Sequence, residues 1–140
     1  MTTRIASLAI ILLALPLTVA AQSAEKTFSK AFNTDGKGTI ILDLPGAIDL
    51  KIWDTPTIRI SITVSTPSGN DAMLGELARV GRYNLASKSE GDNLTISAPN
   101  MQKQIKVKGE ELRETLTFVV FVPRDLKIEM PNAETYAAKR

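Results

Sequence analysis

The sequence predicts an all-β domain with one short helix, built as an antiparallel sheet or sandwich or as a short β-solenoid-like stack. Three observations predict it. Apolar and polar residues alternate with period two through several segments, the pattern of half-buried strands. Pro, Gly, Asn and Asp clusters bracket those segments and set turns between them. Only one stretch, from Met73 to Val80, carries apolar residues at helical spacing.

The first 21 residues read as a secretory signal rather than as part of the fold. Arg4 supplies a positive charge, Ile5 to Leu15 form an apolar run, and Pro16 breaks it. Val19 and Ala21 then place small residues at the −3 and −1 positions of a cleavage site before Gln22. The apolar run is too short to span a bilayer, which takes about 20 apolar residues. The expected organisation is therefore a signal peptide over 1–21, a single β-rich domain over 22–132, and a frayed tail over 133–140. No membrane span is expected once the signal is removed.

Within the domain, Thr39-Ile40-Ile41-Leu42-Asp43-Leu44 is the first strong strand candidate. Pro45-Gly46 follows as a turn, Pro presetting φ and Gly accepting a positive φ. Ile48, Leu50 and Ile52 then alternate with Ala47, Asp49 and Lys51. After the break at Asp54-Thr55-Pro56, Ile58, Ile60, Ile62 and Val64 alternate with Thr57, Arg59, Ser61 and Thr63, the clearest strand in the chain. Asn70 or Asp71 can cap a helix bearing Met73, Leu74, Leu77 and Val80, and Gly81 can end it in a left-handed conformation. Tyr83 and Leu85 alternate as a further strand. Glu90-Gly91-Asp92-Asn93 is a hairpin turn leading to Leu94, Ile96 and Ala98. A weak strand around Ile105 and Val107 is followed by Leu116 to Val122, apolar on both faces and therefore central. Pro123-Arg124-Asp125 turns the chain into a last strand of Leu126, Ile128 and Met130.

Composition narrows the chemistry. The 140 residues contain no Cys and no His. Disulfides, thiolate–metal sites, thiol nucleophiles and imidazole bases are closed to this chain. There are 17 basic and 15 acidic side chains, and losing Arg4 with the signal leaves 16 against 15. So even a balance offers no electrostatic drive toward nucleic acid. The cluster Lys103-Gln104-Ile105-Lys106-Val107-Lys108 alternates with apolar residues and reads as the wet face of a strand.

Motifs for catalysis or cofactors do not emerge, and no cofactor and no metal are expected. Asp35-Gly36-Lys37-Gly38 precedes a strand rather than a helix, so it is a turn and not a phosphate loop. Ser87, Lys88 and Ser89 flank a turn without the context of a Ser–Lys dyad. Asp43 and Asp49 would make an oxygen-ligand Ca²⁺ site only by facing a common surface, and otherwise read as wet-face charges. Glu110, Glu111 and Glu114 read as a solvated run. The lone Trp53 either plugs the end of the sheet or presents an anchor for sugar or partner. With Asp54 and Tyr83 it forms the candidate partner-binding set.

Three segments carry a resemblance. They are the run from Gly38 to Val64 with its Leu-Pro-Gly and Trp-Asp corners, the Gly-Asp-Asn-Leu-Thr-Ile turn and strand at 91–96, and Val-Pro-Arg-Asp-Leu-Lys-Ile at 122–128. Over roughly residues 38–130 they resemble the opening section of exported adhesin-like proteins that carry a domain of unknown function (the DUF4097 and head-GIN type). In that family the Val-Pro strand leads into repeated β-solenoid rungs, which this sequence does not continue into. The resemblance implies an exported, non-enzymatic module of the cell envelope, periplasmic or at the cell surface. Its partner would be an unknown protein or surface glycan, and its sheet edges would be open to self-association. The alternatives are a periplasmic ligand carrier or chaperone-like binder, which requires an apolar pocket near Leu74 and Leu77, and a hydrolase working with carboxylates alone.

Overall fold

The structure is a computed structural model and describes residues 23–132. The signal expected over 1–21 and the tail expected over 133–140 lie outside the described residues. The described chain forms ten strands and one helix. They are β1 (Ala24–Asn33), β2 (Thr39–Asp43), β3 (Ala47–Trp53), β4 (Thr57–Thr66), α1 (Asp71–Arg79), β5 (Ala86–Glu90), β6 (Asn93–Ser97), β7 (Lys106–Val107), β8 (Glu110–Glu111), β9 (Thr115–Pro123) and β10 (Lys127–Glu129).

Two four-stranded sheets result, one in the order β1-β4-β9-β3 and the other β10-β2-β6-β5, beside the small β7-β8 ribbon. One buried cluster draws on both sheets, which makes the architecture an all-β sandwich with a single short helix. The ladders are mixed rather than purely antiparallel. β3 runs parallel to β9, and β2 runs parallel to both β6 and β10.

The alternation in sequence becomes the core directly. Ile58, Ile60, Ile62 and Val64 of β4 are at most 2% exposed, against Ile40, Leu42, Leu94 and Ile96 of the other sheet. Each such side chain contributes roughly 1.5–3 kcal/mol by leaving water. β9, apolar on both faces, lies between β4 and β3, the central position its composition predicts. Its Phe118, Val120 and Val122 are buried, and Val119 and Phe121 are half-buried on the other face.

β1 is a strand that alternation does not announce. Its register places Phe28 beside Ile62 and Phe32 beside Ile58, with Lys30 between them beside Ile60. The face turned toward the core thus carries lysines among its phenylalanines. Lys30 satisfies its ammonium by donating to the Leu85 carbonyl at 3.1 Å, and lies 5.1 Å from the centre of the Phe32 ring. On the outer face, Thr27 meets Thr63 and Ser29 meets Ser61 through hydroxyl pairs at 3.0 and 2.9 Å.

Two turns differ from the simplest reading of their residues. Gly46 is not among the glycines with positive φ. It is needed because a Cβ there would collide with the Leu116 carbonyl and lie 2.9 Å from the Phe118 ring. The segment around Tyr83 is not a strand, and pairing starts only at Ala86. The reason lies at the end of α1. Gly81 at φ +90° lets its N–H donate to the Ala78 carbonyl, while the Arg82 N–H donates to the Leu77 carbonyl. This double bond pattern is the Schellman ending of a helix. It swings Arg82, Tyr83 and Leu85 inward, where all three are buried. At the other end of α1, the Asn70 side chain accepts from the Met73 N–H at 2.8 Å, the expected cap.

Candidate functional site

The end of β3 forms an exposed corner. Trp53 pairs in register with Pro123 of β9, and its ring rests on Phe121 with centroids 5.2 Å apart. The indole N–H donates to the Thr57 carbonyl at 2.7 Å, which locks the ring across the Asp54-Thr55-Pro56 turn. Trp53 is therefore half-buried on the outer face of its sheet, while the preceding Ile52 points along the core face and is 63% exposed. Beside it, Arg124 donates through Nε to Asp54 Oδ1 at 3.0 Å. Both side chains of that pair are exposed, so it orders the corner while adding little stability. A hollow of about 170 Å³ lies between Trp53, Pro56, Pro123 and Arg124.

Tyr83, the third residue singled out in sequence, lies elsewhere. Its ring stacks on Phe28 of β1, at the opposite edge of the sheet from β3, with centroids 5.2 Å apart. It is 5% exposed, and its hydroxyl donates to Glu114 Oε2 at 3.0 Å. Burial, reinforced by the Glu114 charge, pushes the Tyr83 hydroxyl above the ordinary tyrosine range. Trp53 and Asp54 share one corner, and Tyr83 is not part of it.

Glu114 corrects the reading of a solvated glutamate run. Glu110 and Glu111 are exposed, but the Glu114 side chain is 6% exposed and pairs with Arg82, itself 7% exposed. The Arg82 guanidinium also donates to the carbonyls of Asn100, Met101 and Lys103, and Asn100 in turn donates to the Gly81 carbonyl at 2.9 Å. Among the described residues, its Nε–H is buried without an acceptor. The pair thus ties the Met101–Gln104 loop and the start of β9 to the end of α1. A broad polar groove of about 890 Å³ runs over it, lined in part by Asp43, Gln102, Lys103, Gln104 and Arg113. A signal for Glu114 existed: it falls in phase with Leu112, Leu116 and Phe118, one face of the incoming strand.

The remaining candidates are dispersed. Asp43 alternates with buried Leu42 and Leu44 and so faces out from one sheet, accepting from Asn132 at 2.7 Å. Asp49 faces out from the other sheet, 3.9 Å from Lys51. The two share no surface, so they form no Ca²⁺ site. Among the described residues, no group of three or more carboxylates converges on a metal position. Ser87 and Ser89 lie opposite Ile96 and Leu94, while Lys88 points to the other face, so strand geometry separates the dyad partners. Near the helix, Leu74 is fully buried, and the adjoining cavity between Phe28, Ile62, Ala78 and Leu85 holds about 180 Å³. Ligand pockets usually take about 300–1,000 Å³, so this cavity is small for a carrier.

No protein-family profile matches the chain, and no curated protein matches it. Among solved structures, a putative cell adhesion protein from Clostridium sporogenes is similar over 76% of this chain and 45% of its own, with 12% identity and a TM-score of 0.43. The chain therefore spans less than half the length of that protein. No described helix is long and apolar enough to cross a membrane.

Proposed function

We propose that this chain is an exported, non-enzymatic β-module of the cell envelope, adhesin-like in character. It meets a protein or surface glycan through the Trp53–Asp54 corner. The leader pattern from Arg4 to Ala21 supports export. The observation that carries the binding role is the braced indole. Phe121 supports one side of Trp53 and Thr57 holds its N–H, so the ring is offered at a rigid corner beside charged Asp54 and Arg124. An aromatic with its rotamer already fixed loses little freedom on binding, which favours such residues as anchors.

The test has two parts. A tagged full chain is expressed in a bacterial host and fractionated, and it should be recovered outside the cytoplasm. The purified protein is then pelleted with envelope preparations and screened against immobilised surface glycans, alongside Trp53→Ala and Asp54→Asn. Saturable binding weakened by both variants supports the reading. Cytoplasmic retention, or binding indifferent to both variants, overturns it.

A further inference from the structure

The free edge of β3 differs from the other sheet edges. β1, at the far side of the same sheet, carries Lys30 on its core face, and a charge turned inward discourages edge pairing. β5 is exposed throughout and reads Ala-Ser-Lys-Ser-Glu, with little apolar surface to bury. β10 is only three residues long. β3 has seven residues, and among the described residues nothing pairs with its outer side. Its core face carries Ile48, Leu50 and Ile52, which lie in register with Phe118, Val120 and Val122 of β9. Ile48 and Leu50 are half-buried and Ile52 is 63% exposed. Among the described residues, nothing seals the sandwich core at this end. At the opposite end, α1 and the stacked Phe28–Tyr83 pair close it.

We propose that β3 pairs antiparallel with β3 of a second copy of this chain, about a two-fold axis at Leu50. The strand is complementary to itself in that register and in no neighbouring one. Centred on Leu50, Ile48 meets Ile52 of the second copy, Leu50 meets Leu50, and Asp49 meets Lys51 twice. A slip that centres the pair on Asp49 places two carboxylates face to face, and one that centres it on Lys51 places two ammonium groups face to face. Like charges directly opposite destabilise a ladder, whereas opposite charges support it. A shift that pairs core-face with outer-face residues would put the two cores on opposite sides of the joined sheet. The Asp49 and Lys51 side chains, now 3.9 Å apart on one strand, would each gain a partner across the axis. The product is a closed, isologous dimer with one continuous eight-stranded sheet. The half-buried Ile128 of β10 and its flanking Leu126 and Met130 lie at the same end, because short connections join β2 to β3 and β9 to β10.

The charges supply the test. The chain from residue 22 to 140, which contains the whole described sandwich, is weighed in solution by sedimentation equilibrium. The wild type should show twice the monomer mass. Asp49→Lys and Lys51→Asp should each weaken the dimer by roughly tenfold or more, because each sets like charges opposite one another. The double swap Asp49→Lys with Lys51→Asp should restore it. Both positions are exposed, and circular dichroism verifies that each variant is folded. A wild type that stays monomeric overturns the proposal. Dimers indifferent to the single changes, or not restored by the swap, also overturn it.

Discussion

Arg82 and Glu114, 32 residues apart in sequence, meet as an ion pair with both side chains more than nine-tenths buried. Removing one member of such a pair leaves the other charge uncompensated and typically costs about 3–5 kcal/mol. Glu114→Leu should therefore lower the urea midpoint steeply. Glu114→Gln should recover part of the loss, because its amide oxygen can still accept from Tyr83. A double-mutant cycle with Arg82→Met checks the assignment: the two losses should fall well short of additive.

Tyr83 makes stability depend on alkaline pH. Its hydroxyl is held neutral in the fold by burial and by Glu114, so its pKa is raised above the unfolded value near 10. A group with a raised folded pKa contributes stability that is fully present below the unfolded pKa. That contribution falls as pH climbs past it toward the folded pKa, since only the unfolded chain releases the proton. Denaturation midpoints followed from neutral pH upward should therefore decline above pH 10 more steeply for the wild type than for Tyr83→Phe.

Gly46→Ala should destabilise the sandwich although the backbone there is unstrained by φ. The added methyl would strike the Leu116 carbonyl and crowd the Phe118 ring, both in the central strand β9. Overpacking of this kind costs typically about 1–3 kcal/mol. Thermal unfolding of Gly46→Ala beside the wild type measures it.

Much of the fold was legible because its signals are local. β4 declares itself through Ile58, Ile60, Ile62 and Val64, the hairpin at Glu90–Asn93 through its turn residues, and α1 through Asn70 and Gly81. β1 was hidden because Lys26 and Lys30 interrupt the apolar face formed by Phe28 and Phe32. Parallel pairing was hidden for another reason. Ala47 of β3 lies opposite Thr117 of β9, and no local pattern encodes which distant strand becomes the neighbour. The site divides in the same way. Trp53 and Asp54 stand at a turn visible in sequence, whereas the burial of Tyr83 and Glu114 follows from the helix ending that turns Arg82 inward.

Trp53→Phe should keep the stacking on Phe121 and lose the bond to the Thr57 carbonyl. A net hydrogen bond contributes about 1 kcal/mol, so urea unfolding should show a loss of that order. A larger loss is expected for Trp53→Ala, which gives up the ring contact as well.

The measurement that tests the functional account most directly is the ratio of dissociation constants of Trp53→Ala and wild type for the envelope fraction to which the protein pellets. The braced corner predicts at least roughly tenfold weaker binding by the variant, in the range of an interface anchor, with the fold retained by circular dichroism. Equal affinity of the two folded proteins would contradict it.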